Sequence, residues 1–198
     1  MKKLVICLFS LFFIFQTSLL SYSTNPKDFV DELINDVITK LSDKDLTNEE
    51  KSIFVKQIAL ENVDIKALGL YTLGELRKSS TENEISIYQK SFKKYFLKSL
   101  TSRLSDYSSS KIVIVGEDKK SSNYTIVSSK VKPQDGSPEI IIDWRIYTKN
   151  PEKPLIRDLI VEGLSLARTQ KEEFSSILNS NDNDINVLFE TLKEFSKN

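Results

Sequence analysis

The run from Glu139 to Glu173, EIIIDWRIYTKNPEKPLIRDLIVEGLSLARTQKEE, constrains the fold more than any other stretch. β-Branched, aromatic and aliphatic residues concentrate in Glu139–Thr148 and again from Leu155 to about Leu164, which predicts two strands. The polar link Asn150-Pro151-Glu152-Lys153-Pro154 is too short for the crossover that parallel strands need, so the pair must be antiparallel. A helix begins as the second strand ends. Whatever the chain builds must accept a hairpin that feeds straight into a helix.

The flanking sequence extends this pattern on both sides. Upstream, Ile112 to Val115 and Tyr124 to about Val131 predict two more strands, and the loop KPQDGSP (132–138) carries Asp-Gly at its centre. Together these make an antiparallel meander of about four strands. Earlier still, Asn25-Pro26 reads as a capped helix start. Phe29, Val30, Leu33, Ile34, Val37, Ile38 and Leu41 then recur at spacings of three and four to about Ser42. Thr47-Asn48-Glu49-Glu50 opens a second helix. Asp64 caps a third, expected to run through Leu68 and Leu73 to Lys78 with Gly69 and Gly74 inside it. The segment Ser79–Glu84 offers a capping box from Ser79 to Glu82 or from Thr81 to Glu84. The longest helix follows, with Tyr88, Phe92, Tyr95 and Phe96 facing inward and Lys90, Lys93, Lys94 and Lys98 mostly outward. Two C-terminal helices are separated by Asn179–Asn183. The expected fold is α+β: a twisted antiparallel sheet wrapped by N-terminal and C-terminal helices. No repeat or low-complexity linker appears, so residues 24–198 are expected to form one domain.

Residues 1–23 are expected to lie outside that domain. Lys2 and Lys3 precede an almost wholly apolar run from Leu4 to Leu20, and Ser21-Tyr22-Ser23 supplies small residues where a signal peptidase reads; the alternative is an uncleaved membrane anchor, for which the run is at the short edge. Removing this leader also removes Cys7, the single cysteine of the chain. An exported domain without a disulfide depends on its core for stability. The chain has no histidine at all. Without imidazole or thiol, most hydrolase mechanisms and most zinc or copper sites are excluded, so no catalytic residue and no metal ligand is assigned. The 28 Lys and Arg balance the 28 Asp and Glu, which argues against a nucleic-acid partner.

Three segments together resemble a known family. They are Ala67-Leu68-Gly69-Leu70-Tyr71, the helix Tyr88-Gln89-Lys90-Ser91-Phe92-Lys93-Lys94-Tyr95-Phe96, and Asp143-Trp144-Arg145 followed by Asp158-Leu159-Ile160-Val161-Glu162-Gly163-Leu164-Ser165-Leu166. Over nearly the whole mature chain this is similar to the MlaC, or toluene-tolerance, family. The resemblance implies a periplasmic phospholipid carrier with an apolar cavity between sheet and helices and a bound phospholipid as cargo, with no cofactor. Its partners would be the inner-membrane Mla ABC transporter complex and the outer-membrane lipoprotein–porin complex. It would act as a monomer and maintain outer-membrane lipid asymmetry. A hopanoid or other polycyclic lipid on the same scaffold is the alternative cargo. The chain departs from the family pattern at Asn150–Pro154, and at Asn181-Asp182-Asn183-Asp184, which replaces a glycine pair.

Burying an acyl chain recovers ~0.8 kcal/mol per methylene, so ~14 methylenes are worth ~11 kcal/mol. A carrier must match most of that with apolar lining. From the helices the expected lining is Leu73, Leu76, Phe92, Tyr95, Phe96 and Phe174. From the third strand it is Ile140, Ile142 and Trp144, which share a side with Ile146. From the fourth it is Ile160 and Leu164, with Leu159 and Val161 on the other side. Lys90, Lys94, Arg168 and Lys171 are candidates for docking partners, and equally for a solvated surface. Asp158 and Glu162 are expected on one side of one strand, ion-paired or hydrogen-bonded near Arg145 or Arg157. The enzymatic alternative, an isomerase-like site, would use Asp158 or Asp143 with Tyr95; a third reading is a scaffold protein whose interior is filled by its own side chains, the lining residues then being simple core.

Overall fold

The computed structural model describes residues 21–103, 111–133 and 137–197. Most of the expected leader therefore lies outside the described residues, as do Asp135-Gly136 of the 132–138 loop. Tyr22, however, is already engaged with the fold. Its ring meets Phe29 edge-on at 6.1 Å, and its hydroxyl donates to Asp36 at 3.1 Å.

Helix α1 (Pro26–Ser42) starts where Asn25 Oδ1 accepts from the amides of Lys27 and Asp28. Helix α2 (Asn48–Asn62) opens on a full capping box. Glu50 N donates to Thr47 Oγ1 at 3.2 Å, and Thr47 N donates to the Glu50 carboxylate at 2.8 Å. Helix α3 (Ile65–Thr72) is shorter than expected. Gly74 adopts φ +64°, a left-handed conformation that ends the α-helix and leaves a 3-10 turn over Gly74–Lys78. Gly69 stays inside the helix for the expected reason. A Cβ there would stand 2.8 Å from Gln89 Oε1 and 2.9 Å from Phe92 Cδ1. Of the two candidate boxes before α4 (Glu82–Arg103), Thr81 with Glu84 is the one that forms.

Strands β1 (Lys111–Ser121), β2 (Tyr124–Lys132), β3 (Ile140–Tyr147), β4 (Leu155–Val161) and β5 (Leu164–Ser165) form one antiparallel sheet in sequence order. The meander is as expected, but its last strand stops sooner than the apolar run suggests. Glu162 and Gly163 take φ 50° and 81°, so the chain turns back and Leu164 pairs with Val161. At β1 the register slips beside Val115, a bulge on the unpaired edge. The Asn150–Pro154 link closes as a compact turn, with Lys153 N donating to Asn150 O at 3.1 Å.

Helix α5 (Leu166–Asn179) follows β5 directly, and α6 (Ile185–Lys197) ends the described chain. Between them Asp182 and Asn183 adopt φ 53° and 59°. Asp and Asn are the side-chain-bearing residues that best tolerate this left-handed turn, which explains how the glycine pair can be replaced.

Two cores result. One lies among α3, α4, α5 and α6, around Tyr88, Phe92, Phe174, Leu188 and Leu192. Burial pushes the Tyr88 hydroxyl pKa up, so it stays protonated and bonds to the equally buried Thr72 at 2.8 Å. The other packs Phe29, Val30, Leu33 and Ile34 of α1 and Ile58 of α2 on Val127, Ile146 and Ile156 of the sheet.

Gly69→Ala is expected to destabilise the protein by about 1–3 kcal/mol through overpacking against Gln89 and Phe92, read by urea denaturation. The capping hydrogen bonds hold the Glu50 and Glu84 carboxyls below the ordinary value of 4.5. Their contribution is complete above that value and is lost as pH falls through the lowered folded-state values. Thermal melts across that acidic range should therefore converge for wild type and Glu84→Gln.

Candidate functional site

The two cores meet where α2 hands over to α3. Val63 leaves the helix in an extended conformation and pairs with Ile156 in a single parallel bridge. Asp64 N donates to Ile156 O at 2.9 Å. The Asp64 side chain then does two things. Its Oδ1 caps α3 by accepting from Ala67 N at 3.1 Å, and its Oδ2 accepts from Arg157 Nε and Nη2 at 2.9 and 2.8 Å. Arg157 in turn lies over the Tyr147 ring at 3.4 Å. Val63 packs against both cores.

A cleft of about 520 Å³ opens over this seam. Its floor is apolar: Leu60, Val63, Ile65 and Leu155. Its rim carries Lys66, Lys90, Lys93 and Lys153, drawn from α3, α4 and the β3–β4 turn. The two carboxylates that also line it are engaged, Asp64 by Arg157 and Glu61 by the Gln57 amide at 3.2 Å. Among the described residues no ion pair involves any of the four lysines. Gln89 donates to Lys66 O at 3.1 Å, which ties α4 to α3 at the cleft wall.

The expected lining residues divide between the two cores. Leu73, Phe92 and Phe174 are buried in the helical core, with Leu76, Tyr95 and Phe96 packed against it. Their rings touch, Phe92 to Phe96 at 6.2 Å and Tyr95 to Phe174 at 5.7 Å between centroids. Tyr95 also donates its hydroxyl proton to Gln170 at 2.7 Å. Trp144 packs against the sheet core and donates Nε1–H to Ser129 at 2.9 Å. Ile140 and Ile142 share its face, as expected from the period of two.

The fourth strand does not follow the expectation. Trp144 pairs with Leu159 and Asp143 with Ile160, so Leu159 and Val161 share the Trp144 face while Ile160 lies on the opposite one. Leu164 is 68% exposed, because the Glu162–Gly163 turn carries it out to the two-residue edge strand.

The acidic residues have structural partners. Buried Asp158 accepts from Ser165 Oγ at 2.6 Å and Ala167 N at 3.0 Å, and lies 3.4 Å from Arg145. It thereby fixes the first turn of α5 to the sheet. Glu162 is not beside it; the turn aims its carboxylate at Ile141 N. Asp143 accepts from Ser128 Oγ at 2.6 Å. Of the candidate docking residues, Lys90 is on the cleft rim, while Lys94 and Arg168 are exposed elsewhere on α4 and at the start of α5. Lys171 is half-buried, its ammonium 5.5 Å from the Tyr71 ring centre. Sequence reasoning did not single out the cleft as a site. Its floor and rim come from four separate segments, and only Lys90 and Lys93, one turn apart on α4, left any local signal.

A family model described as MlaC protein matches residues 31–194. No curated protein matches the chain. Among solved structures, a phospholipid-binding protein from Ralstonia solanacearum, in complex with a phospholipid, superposes with a TM-score of 0.70 at 20% identity, over 85% of this chain and 94% of that one. At that identity the likeness establishes a shared fold.

Asp158→Asn is expected to cost about 3 kcal/mol, because it removes the charge that Arg145, Ser165 and the α5 amide all address. Chemical denaturation measures this, and amide exchange should show the loss concentrated at Ala167 and the start of α5.

Proposed function

The chain belongs to the MlaC family, and on that premise we propose that it is a phospholipid carrier whose acyl chains lodge between the helical core and the sheet core. The observation that carries this reading is the extent of the family match, which takes in the helical core, most of the sheet core and the seam between them. The structural neighbour that shares the fold holds a phospholipid, which supports the same cargo here. Leu73, Leu76, Phe92, Tyr95, Phe96 and Phe174 form one wall of the path, and Ile140, Ile142 and Trp144 the other. Ile160 and Leu164 lie off that path.

The physical requirement is that hydrocarbon leave a bilayer without meeting water. A seam between two separately packed cores meets it at lower cost than a single continuous core would. Parting two layers leaves each largely intact, whereas opening one core breaks many interdigitated contacts. Val63, shared by both, is the hinge point of this separation.

The finer reading follows the family. The chain works in the periplasm after loss of its leader, and passes lipid between the outer-membrane lipoprotein–porin complex and the inner-membrane ABC transporter. In this role it sustains outer-membrane asymmetry. Lys94, Arg168 and Lys171 are candidate contacts for those partners.

Protein purified from its own periplasm and extracted with organic solvent should yield phospholipid by mass spectrometry. A polycyclic lipid in its place would reassign the cargo, and no lipid together with no uptake from vesicles would overturn the carrier reading. Trp144 is the only tryptophan, so phospholipid added to delipidated protein should shift its fluorescence to shorter wavelength.

A further inference from the structure

We propose that the lysine-rimmed cleft over the seam is a phosphate-recognition site, and that it makes the carrier prefer phospholipids of net negative headgroup charge. The inference rests on the carrier reading and adds headgroup selection to it.

Three observations converge. The first is charge. Lys66, Lys90, Lys93 and Lys153 outnumber the carboxylates at the cleft. Asp64 is neutralised by Arg157 in a two-bond pair and Glu61 is held by Gln57. Of the two acids at the cleft, Asp64 is therefore paired with Arg157 while Glu61 keeps its charge, and four lysines against one uncompensated carboxylate leave the rim net positive. An ammonium group is a compact charge with three donors, suited to phosphate oxygens that approach from variable directions.

The second is the floor. Leu60, 45% exposed, lines the cleft together with Val63, Ile65 and Leu155. A purely solvated basic face would not need an apolar bed. A ligand with an anionic head and a hydrocarbon body uses both.

The third is position. The cleft lies over Val63, where the two cores meet, so an anion held at its rim places the attached chains over the line along which the layers part. Its volume of about 520 Å³ suits a glycerophosphate head with the first methylenes of its chains. An acidic helix of a partner protein would also meet the rim. It gains nothing from sitting over the seam, so the lipid head is the better match.

Selectivity follows from the count of charges. A zwitterionic head brings its own ammonium into a cationic rim, whereas a glycerol head does not. Each rim lysine acts across partly exposed space, so its effect should be about twofold to fivefold in the anionic-to-zwitterionic ratio.

The experiment loads delipidated protein from vesicles of equal phosphatidylglycerol and phosphatidylethanolamine, then counts total lipid and headgroup ratio by mass spectrometry. Wild type should be enriched in phosphatidylglycerol. Lys90→Gln with Lys93→Gln should bring the ratio towards parity while total lipid is retained, and 0.5 M salt should do the same to wild type. Lys193→Gln, on α6 and outside the cleft, should leave the ratio unchanged. Inorganic phosphate added as competitor should lower the enrichment if the rim reads phosphate itself. If it leaves the ratio unchanged, the rim is reading net headgroup charge and phosphate recognition is overturned. Wild type with no enrichment, or the double variant with undiminished enrichment, overturns the proposal and leaves the carrier intact. An unchanged ratio with slowed delivery to acceptor complexes would assign the lysines to a protein partner, which also overturns it. Protein that takes up no lipid of either kind fails the carrier reading as well.

Discussion

Everything in this fold depends on how an α-helical layer is fastened to a sheet without becoming continuous with it. The fastening is local: one parallel bridge from Val63 to Ile156, one backbone bond from Asp64 to Ile156, and the Asp64–Arg157 pair beside them. A charge-assisted pair of this geometry, partly open to solvent, is worth about 1–2 kcal/mol, far less than either core contributes by burial. What it supplies is register. Asp64 is at once the cap of α3 and the partner of Arg157 on β4, so the helical core cannot slide along the sheet without uncapping its own first helix. At the far side, Asp158 does the matching work for α5.

The local grammar of the chain was legible from its residues. The caps at Asn25, Thr47, Asp64 and Thr81, the antiparallel meander and both C-terminal helices follow from side-chain type and spacing, because each is decided within a few residues. The misreadings have a common cause. Apolar spacing places Gly74 inside one helix and Leu155–Leu164 in one strand. In both, a residue at positive φ stops the element, and apolar periodicity carries through a turn without registering it. The glycines themselves were the available signal; what they lacked was any sequence mark distinguishing close packing, as at Gly69, from a change of direction.

The candidate site was less legible for a different reason. Of the lining residues named from hydrophobicity, Leu73, Phe92 and Phe174 are buried and the others, Leu164 apart, are half-buried, but hydrophobicity does not say which of two cores a side chain joins. Phe92 and Trp144 read alike in sequence and lie in different layers. The cleft draws on the end of α2, the start of α3, the outer face of α4 and the turn before β4, so no window of the chain contains it. Only the fold brings Lys153 to the same opening as Lys66.

The bulge beside Val115 on β1 has a consequence for how copies of this chain meet one another. Among the described residues β1 is the outermost strand of the sheet, and such an edge offers backbone donors and acceptors to an extended neighbour. The slip breaks the straight line that such a neighbour would need, and beyond it Asp118, Lys119 and Lys120 put charges of both signs along the rim. A strand laid alongside would find its hydrogen-bonding rhythm interrupted and its side chains confronted by salt. This interruption opposes edge-to-edge growth of one copy onto the next.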